Sequence, residues 1–151
     1  MEGTEEIRIV VFGRPAPQGS KSFKGMTKSG RGILAESSKK VRPWRQDVKA
    51  AAEEWLLANG RPAPIDGPVV ASMVFTLPKP TSEPKTRRTW PMRKPDLSKL
   101  VRSTEDALTD AGLWADDARV VEYERVAKVF PGEGKDSLLC PGVVITVRRV
   151  V

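Results

Sequence analysis

The run VVASMVFTL (69–77) places apolar side chains on both faces of an extended chain, so it reads as a central strand of a sheet. The other elements must be arranged around it. IRIVVFG (7–13) is β-branched and short enough for a second strand. RPAPQGSK breaks it, and SFKGMTKSGRGILAES carries two apolar patches around a Gly/Ser/Lys turn, which predicts a loose hairpin or mobile loop of strongly basic character. A helix is predicted from Ser37 or Ser38, with Trp44, Val48, Ala51 and Trp55 on one face, Pro43 in the first turn and Gly60 beyond its end. RPAPIDGP (61–68) is a linker.

Downstream of the central strand, residues 78–95 hold five prolines and six Lys or Arg against one Glu, which excludes both a helix and a central strand and predicts an exposed basic loop. A second helix follows over DLSKLVRSTEDALTDAG. Asp96 stands at its N-cap, Leu97, Leu100, Val101, Thr104, Ala107 and Leu108 form its apolar stripe, and Gly112 stops it. In residues 118–130 Val121, Tyr123, Ala127 and Val129 alternate with Glu122, Glu124 and Lys128, so a half-exposed strand is expected. GVVITVRRVV closes the chain as a last strand. The expectation is one α+β domain over residues 1–151, with a mixed sheet of about four strands, two main helices, and basic loops at about 14–40 and 78–95.

Composition restricts the chemistry. The chain has 151 residues, a formal charge of +7, one cysteine (Cys140) and no histidine. An intrachain disulfide, a cysteine-rich zinc site, Ser-His or Cys-His catalysis and the HExxH zinc site are all excluded. Carboxylates, lysines, arginines and hard cations must carry any catalysis, and the positive charge points to a polyanionic partner, nucleic acid first. The acidic amino terminus lacks the pattern of a signal peptide and no stretch has the length of a membrane span, which predicts a soluble cytoplasmic protein with no membrane partner.

Against that basic background, acidic residues gather around the second helix. Ser98, Arg102, Glu105 and Thr109 form a polar strip beside the apolar stripe, Asp96 stands at the entrance, and Asp116 and Asp117 follow the exit. A returning strand packed beside this helix would bring one of the last two near Asp96. Oxygens converging in this way suit Mg2+, which takes one or two carboxylates and keeps several waters. A cap, a solvated helix face and a turn would each explain the same acids locally, and spacing alone leaves both readings open.

The run KPDLSKLVRSTEDALTDAGLWADDARVVEYERVAK resembles the signature of the RusA family of Holliday junction resolvases, (K/R)PDxDNLxKxxxDALxxxG, then an aromatic and DDxQVV. GRPAPQGSK is similar to an amino-terminal segment of many phage-encoded members. The resemblance implies a metal-dependent, homodimeric endonuclease that cuts four-way DNA by paired incisions, using Mg2+ with Mn2+ as a substitute, in a bacterial or phage-infected cell. The family's acidic positions fall on Asp96, Ser98 and Asp117, its lysine on Arg102, the Asp of DAL on Asp106 and the first Asp of DD on Asp116. Ser98 therefore stands where the family has an acid. Glu105, seven positions later and nearly in line along the helix, is the expected source of the missing charge, the ordinary alternative being a pair with Arg102.

The catalytic set implied is Asp96, Asp117, Arg102 and Glu105, and the metal set is Asp96, Asp117, Asp116 and Glu105. Arginine at position 102 can clamp a phosphate but cannot act as a base. DNA contacts are expected from Lys21, Lys24, Lys28, Arg31, Lys39, Lys40, Arg42, Arg45, Lys85, Arg87, Arg88, Arg93, Lys94 and Lys99. Trp90 either stacks on an unpaired base or tucks beneath its loop. The other reading that Ser98 allows is a branched-DNA binder of the same frame that does not cleave.

Overall fold

A computed structural model describes residues 5–19 and 37–150. Lys21, Lys24, Lys28 and Arg31, with the hairpin or loop expected around them, lie outside the described residues. The elements run β1 (Glu6–Phe12), α1 (Ser37–Ala58), β2 (Val69–Thr76), α2 (Leu97–Ala111), β3 (Val120–Val129) and β4 (Gly142–Arg149), with a short 3-10 turn at Asp117–Arg119 before β3. The fold is α+β, with a mixed four-stranded sheet and two main helices, as the sequence predicts.

The strands lie in the order β1-β4-β2-β3. β4 is antiparallel to both β1 and β2, and β2 is parallel to β3. A parallel neighbour cannot be reached through a tight turn, so the chain must cross over, and α2 lies within that crossover. β2 has a hydrogen-bonded strand on each side, and every residue in it except Ser72 is buried, in keeping with its continuous apolar run.

On one face of the sheet, Ile9, Val11, Ala71, Met73, Phe75, Val143, Ile145 and Val147 join Trp44 and Val48 of α1 and Leu100 and Leu108 of α2 in the core. The buried stripe of α1 is Val41, Trp44, Val48 and Ala52; Ala51 and Trp55 are only half-buried. The contact face thus drifts by one residue along the helix, onto Ala52, and Ala51 and Trp55 pack at its margin. The helices are joined through polar atoms as well. The Trp44 indole N–H donates to Thr104 Oγ1 at 3.2 Å, and Ser103 Oγ donates to the Ala16 carbonyl at 2.7 Å, which straps the segment after β1 across α2. On the opposite face, the β3–β4 connection is held by Arg125 donating to the Lys135 carbonyl, by Leu138 N–H donating to Thr76 Oγ1 at 2.9 Å, and by an Arg8–Asp136 ion pair.

β3 departs from the expected alternation. Its pairing with β2 slips twice, between Val69 and Val70 and between Ala71 and Ser72, leaving Val121 and Glu124 as extra residues. Each slip reverses the facing of the residues beyond it. Tyr123 opposes Ala71 and Lys128 opposes Phe75, so both stand on the helix side, together with Val120 and Val126. Lys128, expected on the polar face opposite Tyr123, instead donates to the Arg93 and Pro95 carbonyls at 2.9 Å each, just before α2.

Leu100 is fully buried between these layers. Leu100→Ala should lower stability by about 2 to 5 kcal/mol, the range for a deleted core leucine. At about 2 to 4 °C per kcal/mol for a domain of this size, thermal denaturation followed by circular dichroism should show the loss clearly.

Candidate active site

α2 begins after Asp96, whose backbone is extended at φ −69° and ψ 135°. Its carboxylate makes no capping hydrogen bond, so the local explanation for an acid at this position is not the one realised. It lies 3.7 Å from Lys99 Nζ instead, and its charge acts on Lys128, whose ammonium is pulled below its ordinary pKa by burial and partly restored by Asp96. The helix stops at Gly112, whose φ of +88° favours glycine and whose N–H reaches the Leu108 and Thr109 carbonyls.

The chain then returns through Trp114 and the acidic pair. Trp114 is fully buried, and its backbone is clamped on both sides by Ile65: Ile65 N–H donates to the Leu113 carbonyl at 3.0 Å, and Ala115 N–H donates to the Ile65 carbonyl at 2.9 Å. Asp116 caps the 3-10 turn, accepting from the Ala118 amide at 2.8 Å. Asp117 turns onto α2 and accepts from Thr109 Oγ1, whose oxygen in turn accepts from the Trp114 indole N–H at 2.7 Å.

Asp117 therefore meets the second half of the helix. Glu105 is pushed above the usual carboxylate range, first by burial and then by the charges of Asp117 and Asp106, against a hydrogen bond donated by the Tyr123 hydroxyl that favours its ionised form. Asp106 is pushed up by burial and by the close approach of Asp117, while Arg45 and Arg102 pull it down. Burial, followed by the Glu105 carboxylate, drives the Tyr123 phenol upward in turn. Glu105, Asp106 and Asp117 thus form one electrostatic group.

Asp96 is not part of that group. It stands ten residues before Asp106, roughly 15 Å of helix rise, and its charged neighbours are Lys99 and Lys128. The expected meeting of Asp96 with an acid of the returning segment is replaced by an elongated arrangement along α2. The reason is the crossover, which delivers the chain to β3 from the far end of the helix. The expected alternative for Glu105, a pair with Arg102, is also not formed; Glu105 turns to Tyr123, which the slipped register of β3 presents. Arg102 is exposed and has no ion-pair partner among the described residues.

Carboxylate oxygens are the hard donors that Mg2+ takes, and acids whose charges oppose one another form a group that a cation would relieve. Among the described residues no three acidic side chains are grouped closely enough to hold a metal by themselves. The donors at hand, the carboxylates of Asp117 with Glu105 or Asp106, are of the chemical kind a hydrated Mg2+ accepts, an ion that needs only one or two such groups.

Exposed basic residues lie on the first turns of α1 and on the 78–95 loop. Lys39, Lys40, Arg87, Arg88, Arg93 and Lys94 are exposed and make no ion pair among the described residues, whereas Arg45 is paired with Asp110 at 3.0 Å. The basic loop 78–95 is held down by Glu133, which accepts from Lys79 Nζ at 2.6 Å and from the Thr89 amide at 2.9 Å. Trp90 is not tucked beneath that loop. It is 59% exposed, with the Arg88 guanidinium 4.7 Å from its ring centroid.

Residues 13–148 match the family described as Endodeoxyribonuclease RusA. The chain belongs to the RusA family. It is also similar to the protein named Crossover junction endodeoxyribonuclease rusA of Enterobacteria phage 82, with 54% identity over 37 residues. Those residues are 24% of this chain and 30% of that protein, so the match spans less than a third of the relative's length. No helix among the described residues of this RusA-family chain is long and apolar enough to cross a membrane.

Reading along the sequence placed Glu105 and Thr109 on one strip but missed Tyr123 and Lys128 as its neighbours. Two slips within a strand cannot be read from alternation, and the only signal was that Arg125 interrupts the apolar side of β3.

The raised carboxyl of Asp106 has a consequence for stability. A folded-state pKa above the unfolded value means that the fold is strongest with the group protonated and weakens as pH rises through the folded pKa. Asp106→Asn should therefore stabilise the metal-free protein at pH 7 by on the order of 0.5 kcal/mol, the scale of a partly exposed charge pair. Melting curves of the two proteins should converge as pH falls below the ordinary carboxylate range.

Proposed function

We propose that this protein is a divalent-metal-dependent endonuclease that resolves four-way or other branched DNA by paired phosphodiester cuts. The observation that carries this reading is the gathering of Glu105 and Asp106 on α2 with Asp117 of the turn before β3, whose charge raises both, in a RusA-family chain of net charge +7. Caps and solvated acids standing apart would not act on one another in this way.

In this reading Asp117 is the central metal ligand, with Glu105 supplying the charge that Ser98 lacks and Asp106 beside it. Asp96 and Asp116 complete the acidic strip at its two ends. When bound, Mg2+ or Mn2+ supplies charge neutralisation at the phosphate and lowers the pKa of water. Arg102, always charged, holds the scissile phosphate and stabilises the charge that grows on it. Lys39, Lys40, Arg87, Arg88, Arg93, Lys94 and Lys99, together with Lys21, Lys24, Lys28 and Arg31, bind the DNA backbone. The exposed face of Trp90 offers a stacking surface for an unpaired base. Paired cuts need two sites, which a C2 homodimer supplies.

Ser98 favours one other reading, a branched-DNA binder that does not cleave. A labelled four-way junction incubated with the protein and Mg2+ separates the two: symmetric nicks support the endonuclease, and binding without nicks supports the alternative. Asp117→Asn should reduce cleavage by at least a hundredfold while leaving junction affinity equal or higher, because it removes charge facing phosphate. Glu105→Gln should cost at least tenfold in cleavage, and full activity would remove Glu105 from the metal set. Log affinity should fall linearly with log salt, by about 0.9 for each phosphate contacted.

A further inference from the structure

We propose that Thr109 is the positioning residue for Asp117, the middle of a one-way hydrogen-bond chain that starts at the buried indole of Trp114. This rests on the reading of Asp117 as a metal ligand.

The direction of the chain follows from the chemistry of its members. An indole nitrogen can only donate, so Thr109 Oγ1 is the acceptor in its 2.7 Å contact with Trp114. A threonine hydroxyl has one proton, and that proton goes to Asp117 Oδ1. The carboxylate is thereby referenced to a side chain with no solvent exposure, whose backbone is bracketed by the two hydrogen bonds to Ile65.

On its own turn the hydrogen bonds, from Ala118 N–H to the Asp116 carboxylate and from Arg119 N–H to the Asp116 carbonyl at 3.0 Å, hold backbone; the side chains that reach the Asp117 carboxylate come from α2, Thr109 Oγ1 as its donor and the Asp106 carboxyl beside it. Thr109 also differs from Thr104 of the same helix, whose hydroxyl donates back to the Leu100 carbonyl at 2.8 Å, the usual way for a helical hydroxyl to satisfy itself. Thr109 makes no such bond to its own helix; its hydroxyl is spent on an acid eight residues ahead.

An outer partner that orients a metal ligand is commonly worth 10- to 100-fold in metal affinity. Thr109→Val keeps the shape and removes the hydroxyl. Its Mn2+ affinity, measured by direct titration without DNA, should fall about tenfold or more. Cleavage of a four-way junction should lose kcat while KM and metal-free junction affinity stay within about twofold, and Thr109→Ser should restore both properties to within about threefold. Trp114→Phe, which removes only the first donor, should give a smaller loss.

A Thr109→Val protein that melts lower yet keeps its Mn2+ affinity and kcat would show the contact to be merely structural and would overturn the proposal. So would failure of Thr109→Ser to rescue. If Thr109→Val does not fold, Thr109→Ala carries the same comparison. Should Asp117→Asn leave the Mn2+ affinity of the protein unchanged, the reading of Asp117 as a ligand fails, and the role of Thr109 fails with it; a drop for Asp117→Asn with none for Thr109→Val defeats the positioning role alone.

Discussion

The parallel pairing of β2 with β3 is the constraint on which the rest of the molecule depends. It obliges the chain to leave one end of the sheet, cross over its face, and return at the opposite end. α2 lies on that path, so the acids flanking it are carried to its two ends. The same crossing brings α2 alongside β3, an edge strand with Tyr123 and Lys128 turned toward the helix.

Electrostatics and burial then act against each other along α2. Its inner stripe, Leu100, Val101, Ala107 and Leu108, is buried, which draws the adjacent polar strip partly out of water. Glu105 and Asp106 lose solvation there and face Asp117 as well, so their ionised forms are disfavoured in a protein otherwise rich in cations. The exposed cations stand on the 78–95 loop, on the first turns of α1 and at Arg102, while Arg45 and Lys99 are partly occupied by Asp110 and Asp96. Under the proposed function a hard divalent ion supplies the counter-charge for the remaining acids, and DNA phosphate is the partner of the outlying lysines and arginines.

Trp residues set the geometry twice in this fold, each through a threonine of α2. Trp44 donates to Thr104 and fastens α1 to α2 in the core; Trp114 donates to Thr109 and orders the edge where Asp117 sits. The first threonine passes its proton back to its own helix, the second passes it outward. That difference is invisible in the sequence, where both are hydroxyl residues on a helix.

Each element is legible in the chain because it rests on local physics: the doubly apolar run of β2, the 3.6-residue stripe and glycine stop of α2, and the proline-rich basic loop between them. The sequence also placed Ser98, Arg102, Glu105 and Thr109 on one strip, and its acidic signature marked the family. Which neighbours that strip meets is set by long-range pairing instead. Strand order, the direction of the crossover and the two slips in β3 depend on pairing between segments far apart in the chain, and no residue's own preference encodes them. Asp117 beside Thr109, Asp96 near Lys128, and Glu105 against Tyr123 rather than Arg102 all result from that pairing.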